Sequence, residues 1–288
     1  MNVPDAGTAT TGADLKQLAA VARRIRSNVL AMVEGLGHGY VGQGLGTADL
    51  FAALYFGFLR LDPENLDWPD RDRFVLSTGH YAIALIATLT ELGVFAPEEL
   101  RQYGSDGSRI EQNATEVVPG FEITGGSLSQ GLSQAVGMAL GARLAGRKNR
   151  IVCMLSDGEL QEGQIWEAAM AAGHYALDNL IGIVDNNELQ ADGPPARIMG
   201  VEPIPEKFIA FGWEARRIDG NELPAIIGAL HWADALRDKP AMIVADTVPG
   251  KGVPSLERRE KVHYVRPAGP DSEWSAIRHE LEAQEMVR

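Results

Sequence analysis

Residues 151–164 read IVCMLSDGELQEGQ, and residues 180–193 read LIGIVDNNELQADG. Each stretch opens on a short apolar run, which is typical of a strand buried on both faces, and then turns polar. The 27 residues between Gly158 and Asn186 are enough for one helix and two turns. A right-handed crossover of this size places the two strands side by side and parallel. We therefore expect Asp157 and Asn187, at neighbouring strand ends, to face one point.

The rest of the chain continues this alternation of strands and helices. Because apolar strands alternate with amphipathic helices, we predict an α/β fold, doubly wound, with a mostly parallel sheet and helices on both faces. The predicted strands, apolar throughout, are residues 73–77, 150–155, 180–184, 213–218 and 241–246. The predicted helices are residues 15–34, 47–60, 81–92, 127–144, 159–175, 205–211, 222–236 and a last one from about residue 273. Thr47 is expected to cap the second helix, and residues 35–46 and 103–123 are expected to be loops.

The domain organisation follows from these elements. Residues 1–13 are predicted to form a flexible tail, and residues 14–253 one ligand-binding domain. Residues 254–288 are predicted to form an irregular segment followed by a helix. No internal repeat or low-complexity segment interrupts this plan.

Composition excludes several classes of function. The chain of 288 residues carries a formal net charge of −13, which argues against nucleic acid or an anionic membrane as the main partner. The most apolar stretch, Ala82–Ala96, is interrupted by polar residues and is too short to span a membrane. The N-terminus has no secretory signal pattern, and the single cysteine, Cys153, lies in an apolar run and is expected to be buried. Cytoplasm is therefore the expected compartment.

The strand-end residues indicate a metal and a phosphorylated ligand. A carboxylate from Asp157, an amide oxygen from Asn187 and a loop carbonyl form a hard-oxygen set, which suits Mg²⁺ or Ca²⁺ better than zinc. Since Asp157 is the only charged side chain in this set, the metal would be held weakly unless a bound molecule added phosphate oxygens. Gly158 lets a phosphate approach the backbone N–H groups where the next helix opens. A metal-bridged diphosphate is the ligand that these residues predict.

On these residues the sequence resembles the transketolase family. The strand-end pair DGELQEGQ and VDNN, at this interval, is similar to the thiamine diphosphate motif of transketolases. The resemblance covers nearly the whole chain and is closest to the N-terminal halves of split, two-subunit transketolases. Further matching segments are the Gly37-His38 loop, RDRFVLSTGH at residues 71–80, VPGFEITGGSLSQGLSQAVGMALGARL at residues 118–144, GQIWEAAMAAGHY at residues 163–175 and DTVPGKGV at residues 246–253.

The resemblance implies a residue-by-residue coenzyme site. It implies that the Asp157 carboxylate, the Asn187 side chain and the Leu189 carbonyl bind the metal. It also implies that Gly158 contacts the diphosphate. Gly126 and Leu128 would lie against the aminopyrimidine of thiamine diphosphate.

It further implies the catalytic groups. His38, His80 and His263 would line the substrate channel, with His80 and His263 also next to the coenzyme. Glu162 would belong to an acidic network that links paired active sites. The implied activity is transfer of a two-carbon ketol unit from a ketose or ketose phosphate to an aldehyde. In transketolases the glutamate that activates the coenzyme lies in the second half of the chain. The resemblance therefore implies a diphosphate-binding subunit, inactive alone and completed by a pyrimidine-binding subunit in an α₂β₂ assembly.

Four positions depart from the family pattern. Ser156 stands where glycine is usual, and the loop at residues 37–42 is about two residues longer and lacks the proline after His38. Asn113 stands where a substrate-binding histidine is usual, and it can donate a hydrogen bond but cannot carry a proton. Tyr264 follows His263 in place of glycine. Three departures fall in the implied substrate region, which predicts a donor or acceptor other than the pentose phosphate pair.

Two other classes of ligand-binding protein fit the sequence poorly, and two further functions stay open. A nicotinamide-binding protein would place its glycine fingerprint after the first strand, whereas here the glycine-rich segment follows a helix. Gly250-Lys251-Gly252 lacks the spacing of a phosphate-binding P-loop. A subunit of a thiamine diphosphate-dependent 2-oxo-acid dehydrogenase shares the cofactor and the split architecture and stays open. So does a non-catalytic scaffold that only binds its partner.

Overall fold

The structure is a computed structural model that describes residues 12–257, 259–266 and 270–285. The described residues form five strands: β1 (Arg73–Leu76), β2 (Ile151–Ser156), β3 (Leu180–Asn186), β4 (Glu214–Asp219) and β5 (Ala241–Asp246). They form helices α1 (Gly12–Leu36), α2 (Val41–Gly46), α3 (Ala48–Gly57), α4 (Ala82–Glu91), α5 (Gln130–Leu144), α6 (Gly163–His174), α7 (Pro195–Ile198), α8 (Ile204–Ala210), α9 (Leu223–Ala235) and α10 (Pro270–Glu285). No helix among these residues is long and apolar enough to cross a membrane.

The five strands form one parallel sheet in the order β1-β2-β3-β5-β4. The predicted crossover from β2 to β3 is confirmed, and Ser156 pairs with Asp185 at their carboxyl ends. The expectation of apolar strands throughout is wrong for β4. That strand reads EARRID and is half-exposed: it lies at one edge of the sheet, where Arg217 forms ion pairs with Glu202 and Asp246.

Helices cover both faces of the sheet, as the sequence predicts. Since side chains alternate along a strand, β2 contributes to two separate hydrophobic clusters. Val152 and Met154 pack with α1, α3, α4 and α9 on one face. Ile151, Cys153 and Leu155 pack with α5, α6 and α8 on the other face. The site at the ends of β2 and β3 therefore stands on strands fixed from both sides, and Cys153 is buried as expected.

The glycine-rich segment differs from the sequence prediction. Residues 41–46 form the short buried helix α2 rather than a loop. Thr47 is the N-cap residue of α3, as predicted, but its side chain accepts no capping hydrogen bond. Its hydroxyl donates to the Gln43 carbonyl at 2.7 Å instead. Glycine permits close backbone packing here, since a Cβ on Gly42 would lie 2.5 Å from the Val262 carbonyl oxygen.

The helix predicted after β2 is divided in two. Residues 158–161 form a 3₁₀ turn, Glu162 is extended, and α6 begins at Gly163. The long segment 103–123, by contrast, contains no helix or strand, as predicted. It is anchored by the Ala114 N–H, which donates to the Gly79 carbonyl at 3.0 Å.

The first and last helices begin earlier than the sequence predicts. Helix α1 begins at Gly12, so only the last two residues of the predicted tail 1–13 are described, and both are helical. Residues 1–11 lie outside the described residues, as do 258, 267–269 and 286–288. Helix α10 begins three residues before the predicted Glu273.

Candidate functional site

The carboxyl ends of β2 and β3 bring Asp157 next to the Asn187 turn. The Glu188 N–H donates to Asp157 Oδ2 at 2.8 Å, and the Gly158 N–H donates to Oδ1 at 2.7 Å. Asp157 is 1% exposed, and none of the ion pairs among the described residues includes it. Burial and the nearby charge of Asp185 raise the pKa of Asp157 to about 7. A buried carboxylate with no cationic partner is a place where a bound cation would supply the missing charge.

The orientation of the Asn187 amide is set by its neighbours. Its nitrogen donates to Asp185 Oδ2 at 2.6 Å and to the Tyr81 hydroxyl oxygen at 2.9 Å. The Tyr81 hydroxyl itself donates to Asp185 Oδ2 at 2.6 Å, and Thr247 donates to the other Asp185 oxygen. Since the nitrogen is held on the Asp185 side, Oδ1 faces the opposite way, where it accepts from the Leu189 N–H at 2.9 Å.

These residues fit a hard cation. Asp157, Asn187 and the Leu189 carbonyl can supply carboxylate, amide and carbonyl oxygens, the ligand types of Mg²⁺ and Ca²⁺. The described residues contain no cluster of three or more His, Cys, Asp or Glu side chains. One carboxylate alone makes a weak site, so a cation here would need oxygens from a bound ligand as well.

Glycines beside this site let neighbouring segments approach closely or leave space for a ligand. Gly158 lies in the turn after β2, and a Cβ on it would lie 3.0 Å from Gln190 Oε1. A Cβ on Gly79 would lie 2.8 Å from the Gly125 carbonyl carbon, so the two backbones touch. Gly126 is exposed with open space beside it. Leu128, two residues further on, is half-buried.

A buried glutamate that sequence analysis missed connects three of these segments. Glu159 is fully buried and accepts from the Ser129 N–H at 2.6 Å, the Ser156 N–H at 3.3 Å and the Ser77 hydroxyl. Burial raises its pKa to about 7. Ser77 precedes the His80 turn, Ser129 follows the Gly126 loop, and Ser156 precedes Asp157. No local sequence signal reveals this role, because the donors lie up to 82 residues away.

Two of the predicted channel histidines contact Tyr40, and the third, His38, contacts Tyr264. The Tyr40 ring centroid lies 5.0 Å from that of His80 and 5.7 Å from that of His263, and these two histidines are 5.4 Å apart. Burial lowers the pKa of His80 to about 3 and that of His263 to about 4. The pKa of His38 is also lowered, by burial and then by the Arg266 charge. All three imidazoles are therefore neutral at neutral pH.

Hydrogen bonds occupy one nitrogen on two of these histidines. The Gln43 amide nitrogen bonds to His263 Nδ1, and the Tyr264 hydroxyl bonds to His38 Nδ1. No described residue is hydrogen-bonded to Nε2 of either ring. Because the Gln43 nitrogen can only donate, Nε2 of the neutral His263 ring carries the proton and is a donor. The Gln43 oxygen is buried and has no partner among the described residues.

The remaining predicted residues lie nearer the surface. Glu162 is exposed between the 3₁₀ turn and α6. Asn113 is exposed and next to Ala114, which is hydrogen-bonded to Gly79, so it lies on the His80 side of the site. The other three histidines (His174, His231 and His279) are exposed on α6, α9 and α10 and take no part.

The fold and the strand-end residues define an α/β protein of the class that binds a ligand beyond the carboxyl ends of a parallel sheet. Residues 17–282 match the family described as "Transketolase, thiamine diphosphate binding domain". The chain therefore belongs to the transketolase family, and what it represents is the family's thiamine diphosphate-binding domain.

Some similar proteins are matched over most of their own length. A transketolase family protein of Sinorhizobium fredii is 49% identical over 85% of this chain and 88% of its own length. A 6-deoxy-6-sulfo-D-fructose transketolase subunit of a Clostridium species is 39% identical over 94% of this chain and 97% of its own length.

Solved transketolases are longer. The transketolase of Leishmania mexicana superposes with a TM-score of 0.83 at 29% identity, over 93% of this chain but 45% of that chain. The chain thus spans about half the length of the solved transketolases that it matches.

Proposed function

We propose that the chain is one subunit of a thiamine diphosphate-dependent transketolase, which transfers a two-carbon ketol unit from a ketose or ketose phosphate to an aldehyde. The observation that carries this proposal is the buried Asp157 carboxylate, without a cationic partner, beside the Asn187 amide at the ends of adjacent strands. Family membership supplies the cofactor class. The names of the similar proteins support a transketolase reaction over a 2-oxo-acid dehydrogenase reaction.

In this proposal the chain holds the charged end of the coenzyme. Asp157, Asn187 and the Leu189 carbonyl would hold Mg²⁺ or Ca²⁺, whose charge would offset that of the diphosphate beside Gly158. Gly126 and Leu128 contact the aminopyrimidine. When bound, thiamine diphosphate supplies the nucleophilic carbon and the electron sink for carbon–carbon bond cleavage.

The neutral histidines handle protons of the sugar. In ketol transfer the donor's C2–C3 bond breaks, and the C3 hydroxyl loses its proton as the shorter aldehyde leaves. The acceptor's carbonyl carbon then forms the new bond, and its oxygen gains a proton. A neutral imidazole can accept the first proton and return the second. We assign acceptance of the first proton to Nε2 of His38, because its Nδ1 can donate to the Tyr264 hydroxyl. Nδ1 of His263 accepts from the Gln43 amide nitrogen, so Nε2 of that neutral ring carries a proton and donates a hydrogen bond to a sugar oxygen, with His80 beside it.

A partner subunit completes the site in this proposal. The chain matches transketolase subunits over nearly their whole length but covers under half of a full transketolase. A pyrimidine-binding subunit would supply the activating glutamate, in an α₂β₂ assembly. Glu162 is exposed and free to face that interface. One relative is named for a sulfonated ketose, 6-deoxy-6-sulfo-D-fructose, which agrees with a donor outside the pentose phosphate pair.

Reconstitution tests the proposal directly. The chain is purified alone and together with a pyrimidine-binding partner chain, and both preparations are assayed with thiamine diphosphate and Mg²⁺. Hydroxypyruvate with glycolaldehyde is compared with xylulose 5-phosphate and ribose 5-phosphate. We expect turnover only by the assembled pair, and slower turnover of the pentose phosphates.

Three outcomes would contradict this expectation. Turnover by the chain alone would remove the need for a partner, and turnover only with a lipoyl protein would favour a 2-oxo-acid dehydrogenase. Failure of the assembled pair to bind thiamine diphosphate would favour a non-catalytic scaffold. Asp157→Asn in the assembled pair is the matched variant, and it should abolish turnover.

A further inference from the structure

Two separate segments form one wall beside the histidines. The Gly39 N–H donates to the Val265 carbonyl at 3.0 Å, and the Val265 N–H donates back to the Gly39 carbonyl at 2.9 Å. Close packing of Gly42 against Val262 holds the same two segments together. Each segment contributes one tyrosine, Tyr40 or Tyr264. These two side chains are called the tyrosine wall below.

The tyrosine wall occupies the space between the channel histidines. The Tyr40 and Tyr264 rings meet edge to face, with centroids 4.8 Å apart. Tyr40 also contacts the rings of His80 and His263, and Tyr264 is hydrogen-bonded to His38. Both tyrosines are half-buried. The three histidines are likewise partly exposed, so the two rings share with them the surface of the proposed channel.

We infer that Tyr40 and Tyr264 are specificity-determining residues that narrow the substrate channel on this side and select an acceptor aldehyde with a short, hydroxylated chain. The inference rests on the proposed function. A tyrosine has few rotatable bonds, so its ring fills space at low entropic cost and presents an apolar face with a polar tip. The Tyr40 hydroxyl has no hydrogen-bond partner among the described residues and can meet a substrate hydroxyl.

The surroundings of the wall support this class of substrate. The three histidines are neutral, so they bind hydroxyl and carbonyl groups rather than a charged group. The paired backbones of Gly39 and Val265 restrict how far the two rings can separate. A longer acceptor chain would have to displace a ring that already packs against two histidines.

Acceptor selectivity tests the inference in the assembled enzyme. Glycolaldehyde and erythrose are compared with hydroxypyruvate as donor, in wild type and in Tyr40→Ala, Tyr264→Ala and Tyr40→Phe. Each alanine variant should raise the erythrose-to-glycolaldehyde ratio of kcat/KM by about 10-fold or more, the scale on which pocket volume discriminates chain length. Tyr40→Phe should leave the ratio within about 2-fold, since the ring remains. An unchanged ratio in both alanine variants would overturn the inference.

A second readout does not depend on turnover. Diethyl pyrocarbonate modification is mapped by mass spectrometry in the full chain, alone and assembled. In wild type His80 and His263 should react more slowly than the exposed His174, and Tyr40→Ala should raise the rates at the two channel histidines without changing His174. Equal rates in wild type and variant would overturn the inference even if the assembled enzyme is active. If Tyr40 and Tyr264 protect the histidines but the assembled enzyme transfers no ketol unit, the proposed function is wrong. The result would still show that the two rings narrow the channel.

Discussion

The side-chain nitrogen of Asn187 lies 2.6 Å from Oδ2 of Asp185, within a fully buried hydrogen-bond network. Asp185 is the last but one residue of β3, and its other oxygen accepts from Thr247 at the start of the loop after β5. An amide can present either its oxygen or its nitrogen in a given direction. A carboxylate only accepts hydrogen bonds, so Asp185 holds the amide nitrogen of Asn187 on its own side. The amide oxygen of Asn187 therefore faces the proposed metal position.

Removing this acceptor should weaken metal and coenzyme binding. In Asp185→Asn the side chain can donate as well as accept, so the Asn187 amide loses its fixed direction. Residues that orient a metal ligand typically contribute about 10-fold to 100-fold in affinity. We expect a loss of that size for thiamine diphosphate with Mg²⁺, measured by calorimetry on the assembled protein. Asp192→Asn, on the exposed loop after β3, is the control, and an equal loss in both variants would contradict the role of Asp185.

Metal binding should release a proton from Asp157. Its pKa is raised to about 7, so below that pH the metal-free carboxyl is mostly protonated and must lose its proton to bind Mg²⁺. Apparent affinity should therefore rise by about 10-fold per pH unit from pH 5 to pH 7 and then level off. Calorimetry of Mg²⁺ and coenzyme binding in two buffers with different ionisation enthalpies measures the proton count. An affinity that does not change over this range would show that the carboxyl is already ionised.

The strand-end site could be predicted from sequence, whereas its supporting groups could not. The step from apolar to polar residues at Asp157 and at Asn187 is local, and the length of the crossover sets their adjacency. Glu159 looks like an ordinary solvent-facing glutamate in a turn, and only the tertiary structure brings the N–H groups of Ser129 and Ser156 to it.

Packing also overrode local pattern in two elements. Residues 41–46 contain three glycines and no helical periodicity, yet they form α2 because the segment is buried against its neighbours, including Val262. Strand β4 resembled the other strands in position along the chain, but its mostly polar residues, EARRID, stay half-exposed at one edge of the sheet. Neither burial nor edge position can be read from the segment alone.

The neutral state of His80 should make stability depend on pH. Its pKa is lowered to about 3 in the folded chain and is about 6.5 when unfolded. Between these values the unfolded state binds more protons, so the free energy of unfolding falls as pH decreases. Relative to His80→Asn, wild type should lose about 2 kcal/mol between pH 6.5 and pH 4.5, measured by chemical denaturation. Asp157 and Glu159 act with the opposite sign, but their contribution is common to both proteins and cancels in the difference.

Glu159→Gln should destabilise the fold by leaving a buried donor without an acceptor. The carboxylate accepts from three groups, and a glutamine offers one acceptor oxygen and one donor nitrogen. An unsatisfied buried group costs about 1–3 kcal/mol, measurable by chemical denaturation. Glu167→Gln, exposed on α6, should change stability little. If the two variants behaved alike, the buried network would contribute nothing measurable.

Two glycines on helix α5 should respond in opposite directions to the same substitution. A Cβ on Gly131 would lie 2.5 Å from Ser77 Cα, so Gly131→Ala must move the end of β1 and the Ser77 hydroxyl that Glu159 binds. Gly137 has nothing within 4 Å of the corresponding position. Gly131→Ala should lower the free energy of unfolding by about 1–3 kcal/mol through overpacking. Gly137→Ala should raise it by about 0.5–1 kcal/mol, because alanine loses less conformational entropy in a helix.

Chemical denaturation of both glycine variants, with amide hydrogen exchange at residues 125–131, separates the two effects. Faster exchange in Gly131→Ala alone is expected, because the Ser129 N–H and the Gly131 N–H are held through Glu159 and Ser77. A stabilised Gly131→Ala would show that β1 and α5 do not touch as described. Equal exchange in both variants would show that the Gly126 loop is ordered by something other than this contact, and the support assigned to Glu159 would then have to be withdrawn.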